Sequence, residues 1–547
     1  MSDLFIIEAP GKARVLEDIL KGIGIDARVQ ATKGHLYEMP QRLTPLGIDC
    51  KFREFARKLK NPDLGVRIRE EANRAERVFI ATDADSEGDV IAWDVAELIS
   101  DIRPDPLRVR LKGMDEDSIR EAISAAAPVR KADAVAGRTR AIVDRMIGAV
   151  FSRDGIAVGR VGTALLGLVD ATAPTVFRLR LVAPAKDRGR PWVAECDVKS
   201  PLDLEIARRL AETDLPALDF RAATKPLSAP PGHMGDIMVR AGDRLDMSPK
   251  EAALSLQRLY EAGRMSYPRA GSRGLSKSVM RKVARALKQA GYKFDENLVK
   301  EKQDHEVHDA PYPIGRIDVQ RDPVKQGHDE GLRTMVGRDL IKSGQQHVIQ
   351  IAATETLRTH LLRLSFPKAV VEHVCALHWR REEGPRYPGQ ETWPESGIIE
   401  RRPDTVLLEA AIKAGIGRPS TWAKHIDGFM ARGLVDEQLR LTAKGREWIA
   451  ASPAELLDPR VSNAIETACE KGAPGIADDP SREPWEVLAE RIVSSLPEAI
   501  RSPLVNAIAD EPPRPRQNPI AFAATMSLEE ALEQRRSYTY RPQPPQA

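Results

Sequence analysis

The feature that most constrains this chain is a pattern met twice near its N-terminus: a short apolar run, then acids, a glycine and a helical stretch. Leu4-Ile7 leads through Glu8 into the helical pattern Gly11-Leu20, and Arg77-Ala81 leads through "DADSEGD" into Asp89-Ile99. Strands alternating with helices in this rhythm predict a parallel sheet flanked by helices. In the second copy Asp83, Asp85 and Glu87 stand at alternate positions before Gly88. Three carboxylates crowded at a strand end repel one another unless they share a hard cation. Oxygen ligands without His or Cys favour magnesium over zinc. An acidic first helical turn is also what the helix dipole favours, so the triplet alone leaves both readings open. The first copy shifts the balance, because ligands gather at the carboxyl edge of an open α/β sheet. Glu8 and Lys12 are expected to converge there with the triplet.

At 547 residues the chain is long enough for three to five domains. Its 83 Lys plus Arg stand against 80 Asp plus Glu, a net charge of +3, so a nucleic-acid surface would have to be local. No run approaches the ~18 apolar residues of a membrane helix, and the start, "MSDLFIIEAPGK", lacks a signal core; a soluble, cytoplasmic protein without membrane partners is expected. Cys50, Cys196, Cys375 and Cys469 form no C-x-x-C pair, which indicates neither a disulfide framework nor a zinc ribbon. From about Leu111 to Leu168 the pattern is helical, and "VFRLRLVAPA…PWVAECDVKS" reads as antiparallel strands up to about residue 222. The Pro-rich "KPLSAPPGHMG" marks a junction, and "SPKEAALSLQRLYEAG" a helix with a Ser N-cap and a terminal Gly. "HVIQIAATETLRTHLLRLSF" to "EHVCALHWR" reads as strand-rich, with a second helical section from about Thr405. Beyond Ser502 the Pro- and Arg-rich composition predicts a disordered basic tail.

Just after that helix, "LYEAGRMSYPRAGSRGLS" places Tyr267 two residues before Arg269. A tyrosine can attack a phosphodiester if cations stabilise its phenolate, since its ordinary pKa of about 10 leaves little anion at neutral pH. Taken alone, a Tyr-x-Arg is more often a packed ring beside a surface cation.

Together "IIEAPGKA", "TKGHLYEMP" and "ATDADSEGDVIAW" resemble the Toprim domain of type IA DNA topoisomerases, a module found also in primases and nucleases. "LYE-x-G-x-x-S-Y-x-R" resembles that family's active-site segment, in which the tyrosine becomes joined to a 5′ phosphate held by the arginine. "RAIVDRMIG" with Arg140 and Asp144, and "GRVGTALL" with Arg160, are similar to its helical DNA-gate region. "DHEVHDAP" resembles its A-H-E-A-I-x-P element, matching at His305 and more weakly at Glu306. "GIGRPSTW" matches at Arg418, Ser420 and Thr421, and "LTAKGREWI" resembles the L-T-x-x-G turn that follows. By themselves Lys12 and Arg160 would read as solvated charges, His305 as part of a surface cluster, and GRPST as a helix cap. The collinear order of the motifs over about residues 4 to 450 carries the resemblance.

The resemblance implies a multidomain α/β plus α+β protein with a toroidal core. Residues 1–125 would be the Toprim domain, 126–175 with 405–502 a helical DNA gate, and 176–228 with 345–404 a strand-rich arch. Residues 229–344 would carry Tyr267, and 503–547 the tail. It further implies ATP-independent single-strand passage with Mg2+, relaxing negative supercoils or decatenating DNA, in the cytoplasm with the nucleoid or a plasmid. Asp83, Asp85, Glu87 and Glu8 would hold the metal, with Tyr267, Arg269, Glu8, Lys12 and His305 catalytic. Arg140, Asp144, Arg160, Arg418, Ser420 and Thr421 would contact DNA, and the tail could meet other DNA-processing proteins. The chain departs from the family at Ser86, where an arginine is usual, at Asp89 for a glutamate, at Gly162 for a glutamine, and in "PGHMGDIMV". These departures keep open an accessory DNA-binding protein of a mobile element that retains the fold with weak or lost strand passage. A Toprim nuclease or primase would leave Tyr267 and GRPST unexplained.

Overall fold

A computed structural model describes residues 2–153, 155–225, 228–303, 308–316, 318–382, 387–388, 394–472 and 481–509. The chain divides into two compact units, one of residues 1–111, 120–150 and 468–547, the other of 112–119 and 151–467.

In the first unit the strands β1 (Asp3–Ile7), β2 (Ala27–Ala31), β5 (Val78–Ile80), β6 (Leu107–Arg108) and β7 (Ala127–Pro128) form one sheet in the order β2-β1-β5-β6-β7. All neighbours run parallel except the β6/β7 pair. The short strands β3 (Tyr37–Glu38) and β4 (Lys58–Leu59) pair separately. Every side chain of β1 and β5 is buried, as a strand covered on both faces requires. The register Leu4 to Val78 and Ile6 to Ile80 aligns the carboxyl ends of β1 and β5, so Glu8 and Asp83 leave the sheet at one edge. Helices Pro62–Arg74 and Ser86–Ile99 pack Leu64, Ile68, Ile91, Val95 and Leu98 into the core beside this sheet.

The second unit holds a sheet drawn from both strand-rich stretches of the sequence. Strands β8 (Phe177–Ala183), β9 (Trp192–Asp197), β10 (Asp219–Ala223), β11 (Ile349–Ala353), β12 (Arg380–Glu382) and β13 (Gly397–Glu400) run in the order β10-β11-β12-β9-β8-β13, antiparallel throughout. The later stretch is not continuous strand: Glu355–Arg363 and Lys368–Ala376 are helices. Their buried Leu357 and Leu361, and Val370, Val371 and Val374, recur at helical spacing and pack under the sheet. A separate core gathers helices Arg160–Thr172, Met234–Leu245, Pro249–Glu261, Pro403–Lys413 and Trp422–Ala431. No helix of the described residues is long and apolar enough to cross a membrane.

The basic tail starts later than its composition suggests. Helix Glu498–Ala509 continues past Ser502, because Leu504 and Ile508 are buried on one of its faces. The tail arginines Arg514, Arg516, Arg535, Arg536 and Arg541 lie outside the described residues.

Candidate active site

The acidic loop of the first unit is built by close backbone packing. After β5, Asp85 accepts a hydrogen bond from the Gly88 N–H at 2.8 Å and caps helix Ser86–Ile99, while the Thr82 hydroxyl donates to the Gly88 carbonyl at 2.6 Å. A Cβ at Gly88 would lie 1.9 Å from the Asp83 carbonyl oxygen, so only glycine lets the helix start this close to the strand end. The capping reading of the acids is therefore realised for Asp85.

Asp83 has a different environment. It is 4% exposed and forms a buried ion pair with Lys12, itself 2% exposed, from the loop that follows β1 and Glu8. The structure thus brings the first strand's loop and the acidic triplet together. Glu87 lies 3.0 Å from Nε2 of His35 and 3.6 Å from the Arg140 guanidinium of helix Lys131–Phe151. Burial depresses the His35 imidazole, but the hydrogen bond and charge of Glu87, with Asp94 behind it, outweigh burial and raise its pKa. Arg140 also reaches the Ser86 hydroxyl at 3.5 Å. A cation from a distant helix therefore stands beside the position where the family usually carries an arginine. Asp144 sits one turn further along the same helix, half-buried.

Arg108 was not singled out by any motif, yet it organises this loop. Its buried guanidinium donates to the carbonyls of Thr82 at 2.8 Å and Asp83 at 2.6 Å, and to Asp89 at 3.0 Å. Burial pushes the Asp89 carboxyl above its usual range against the pull of Arg108 and Arg110. Lone arginines in a short strand give no sequence signal of such a role.

Asp83, Asp85, Glu87 and Glu8 are hard oxygen donors and suit magnesium by type. Among the described residues no group of three metal-capable side chains is gathered, and the counter-charge on Asp83 is the Lys12 ammonium.

In the second unit, helix Pro249–Glu261 carries the expected Ser248 N-cap, here closed into a capping box with Glu251, and leads to Gly263 at φ +67°. A Cβ there would stand 2.4 Å from the Met114 carbonyl. The chain then runs extended through Ser266 and Tyr267, whose N–H groups donate to Tyr312 and Lys112 carbonyls, each at 2.9 Å. The Tyr267 ring is 2% exposed, edge-on to Tyr260 at 5.5 Å and tilted against His308 at 4.6 Å. Arg269 is half-buried next along the loop. His305 and Glu306 lie outside the described residues.

The divergent "PGHMGDIMV" forms a cap rather than a loop. His233 starts helix Met234–Leu245 in a capping box with Asp236, and Arg273 bonds both Asp236 oxygens at 2.6 and 2.8 Å. Burial opposes ionisation of Asp236, but these bonds prevail and hold its pKa well below the usual range. The Met234 N–H donates to the Ala270 carbonyl, tying this helix to the Tyr267 loop.

Arg160 and Arg418 meet on one carboxylate: Glu466 lies 3.0 Å from the first and 2.8 Å from the second. Glu466 is 6% exposed, and nothing in its own helix marked it in the sequence. In the GRPST turn, Thr421 closes back on Arg418 at 3.3 Å and Gly417 takes φ +75°, with Ser420 half-buried between them.

The Toprim domain model matches residues 3–112. The DNA topoisomerase 1 of Mycobacterium leprae (strain TN) is 25% identical over 577 residues, covering 85% of this chain and 59% of its own length. That of Aquifex aeolicus (strain VF5) is 22% identical, covering 79% and 87%. The solved full-length topoisomerase I of Thermotoga maritima superposes with a TM-score of 0.59 at 18% identity, over 91% of this chain and 90% of that one.

Proposed function

From a chain that carries a Toprim domain and resembles the type IA topoisomerases, we propose a DNA topoisomerase that cuts and rejoins one DNA strand through a 5′-phosphotyrosine bond, without ATP. The observation that supports this most is the buried Lys12 and Asp83 pair, which gathers the loops after β1 and β5 at one sheet edge.

In this reading the Tyr267 hydroxyl oxygen attacks the phosphorus of a single-stranded segment, and the 3′ oxygen leaves as a hydroxyl. Reversal restores the phosphodiester, so bond energy is conserved and no nucleotide is consumed; the sequence has no G-x-x-x-x-G-K-(S/T) loop. Glu8 and Lys12 exchange the proton and charge of the leaving and returning hydroxyl, and Arg269 with His305 stabilises the phosphate. Asp83, Asp85 and Glu87 are the residues that would hold magnesium, which when bound supplies positive charge to the phosphate. Arg140 and Asp144 of the first unit, and Arg160, Arg418, Ser420 and Thr421 of the second, are the residues proposed to contact DNA. Because the Tyr267 ring is packed between Tyr260 and His308, the reading also requires that this ring be uncovered before attack.

The test is a covalent adduct. Labelled single-stranded DNA is incubated with the protein with and without magnesium, denatured and separated. Wild type is expected to form an adduct and, with magnesium, to relax negatively supercoiled plasmid. Tyr267→Phe should lose both while binding DNA within a few fold of wild type. A wild-type chain that binds DNA but neither forms an adduct nor relaxes plasmid would sink the enzyme reading in favour of the accessory DNA-binding protein.

A further inference from the structure

The helix that follows the Tyr267 segment has two unlike faces. In Lys277–Gln289, Met280, Val283, Ala284 and Leu287 are buried in a core with Leu275, Phe294 and Leu340. The opposite face presents Ser278, Arg281, Lys282, Arg285 and Gln289 along one side of an open groove of about 350 Å³, with Asp117 across it. Buried apolar residues fix the helix's rotation, so the polar stripe is held rather than free to turn.

The charges along that stripe are only partly used internally: Lys282 is paired, and Arg281 feels the charge of Glu296 without bonding it. Lys282 is anchored on Asp115 at 2.8 Å, but among the described residues neither Arg281 nor Arg285 forms an ion pair. Cations nearby behave otherwise: Arg258 pairs with Asp329, Arg264 with Glu330 and Lys288 with Glu296. The groove lining holds three cations against one carboxylate, and with Asp115, which anchors Lys282 from beside it, the local excess is one positive charge. Arg281 and Arg285 lie four residues apart, one helical turn and about 6 Å along the axis. That span is close to two axial phosphate steps of a nucleic-acid strand, about 3.4 Å each. A groove this open and this polar offers little apolar surface to a small ligand, whereas a polyanion needs only a row of fixed cations.

We infer that this groove is a DNA-backbone contact in its own right, in which Arg281 and Arg285 bind two phosphates two steps apart on one strand. The inference rests on the proposed function for the identity of the polyanion. It adds a surface that none of the recognised motifs includes, and one that reads backbone rather than sequence.

Salt dependence tests it. Affinity of the full chain for a fluorescent duplex and for a single strand of the same length is measured over a series of potassium chloride concentrations, for wild type, Arg281→Ala/Arg285→Ala and Arg281→Lys/Arg285→Lys. Loss of two phosphate contacts should flatten the slope of log affinity against log salt by about 1.8 on duplex or about 1.4 on single strand. The Lys variant should keep the wild-type slope. Both arginines are exposed, so the Ala variant should melt with wild type, and its adduct with a short oligonucleotide at low salt should be unchanged. An unchanged slope in the Ala variant while wild type forms adduct overturns this inference and leaves the proposed function standing. A flattened slope in a protein that never forms adduct supports the groove and removes the enzyme reading instead.

Discussion

Glu466 neutralises two arginines that the motifs single out. Arg160 and Arg418 are nearly buried, and this one carboxylate stands within 3.0 Å of both. Removing it strands cations out of water, which costs roughly 3 to 5 kcal/mol where a buried pair is broken. Glu466→Ala should therefore lower the urea midpoint of the second unit strongly, and Glu466→Gln, which keeps the shape and one acceptor, should lower it less. Equal stability of wild type and the Ala variant would show that water reaches the pair. A second carboxylate gives a pH signature. Glu409 accepts from Arg401 at 2.6 Å and from Lys413 at 2.8 Å; burial opposes its ionisation, but these bonds win and bring its pKa down to about 2. The folded-state pKa lies below the unfolded value of about 4.3, so this stabilisation is complete above that value and drains away as pH falls towards about 2. The stability gap between wild type and Glu409→Gln, of order 3 kcal/mol near neutrality, should close over that window; a gap constant from pH 6 to pH 2.5 would contradict it. The arginines were marked only by the resemblance of their motifs to a known family, whereas Glu466 was not marked at all, because a glutamate in an amphipathic helix looks solvated until its partners arrive from distant segments.

At the scale of elements, the junction between β5 and helix Ser86–Ile99 is the tightest constraint on the acidic site. Gly88→Ala would drive a methyl group into the Asp83 carbonyl, and backbone cannot yield as a side chain can. The expected result is a loss of about 1 to 3 kcal/mol, together with a larger loss of magnesium-dependent adduct, since the shift moves Asp83 away from Lys12. A variant with wild-type adduct yield would mean that the loop geometry is not what the chemistry requires. Elements of this kind were legible where local signals agree: Leu4–Ile7 of β1 and Val78–Ile80 of β5 are wholly apolar, and helix Pro249–Glu261 announces itself with Ser248 and Gly263. They were less legible in Glu355–Arg363 and Lys368–Ala376, which read as strand. There the β-branched Val370, Val371 and Val374 argue locally for a strand, and burial against the sheet overrides that preference. The cap at His233 was likewise hidden, since histidine is not among the usual N-cap residues and its bond to the Asp236 N–H depends on the folded turn.

At the scale of the whole chain, its C-terminal helices belong to the N-terminal unit. Helix Pro484–Ser495 buries Trp485, Leu488, Ile492 and Val493, and Glu498–Ala509 buries Ile500, Leu504 and Ile508. Trp485 lies under the Arg138 guanidinium at 4.7 Å, and the Trp485 carbonyl accepts from the Thr139 hydroxyl at 3.3 Å. Arg138 in turn bonds Glu54 at 2.7 Å, so the last helices brace the helix that carries Arg140, which itself holds the loop before β4. Two chain ends separated by more than 300 residues thus share one core, which no local pattern could announce. Each large apolar side chain so buried is worth about 1.5 to 3 kcal/mol, and a domain's whole margin is about 5 to 15 kcal/mol. Compared with the full chain, one ended at Gly472 should lose the cooperative unfolding of the first unit and expose it to protease. The second unit, whose cores do not draw on residues after 472, should keep its own transition in both. If the Gly472 truncation instead melted in two unchanged steps, the C-terminal helices would be passengers, and the support they give to Arg140 beside Glu87 would have to come from the sheet alone.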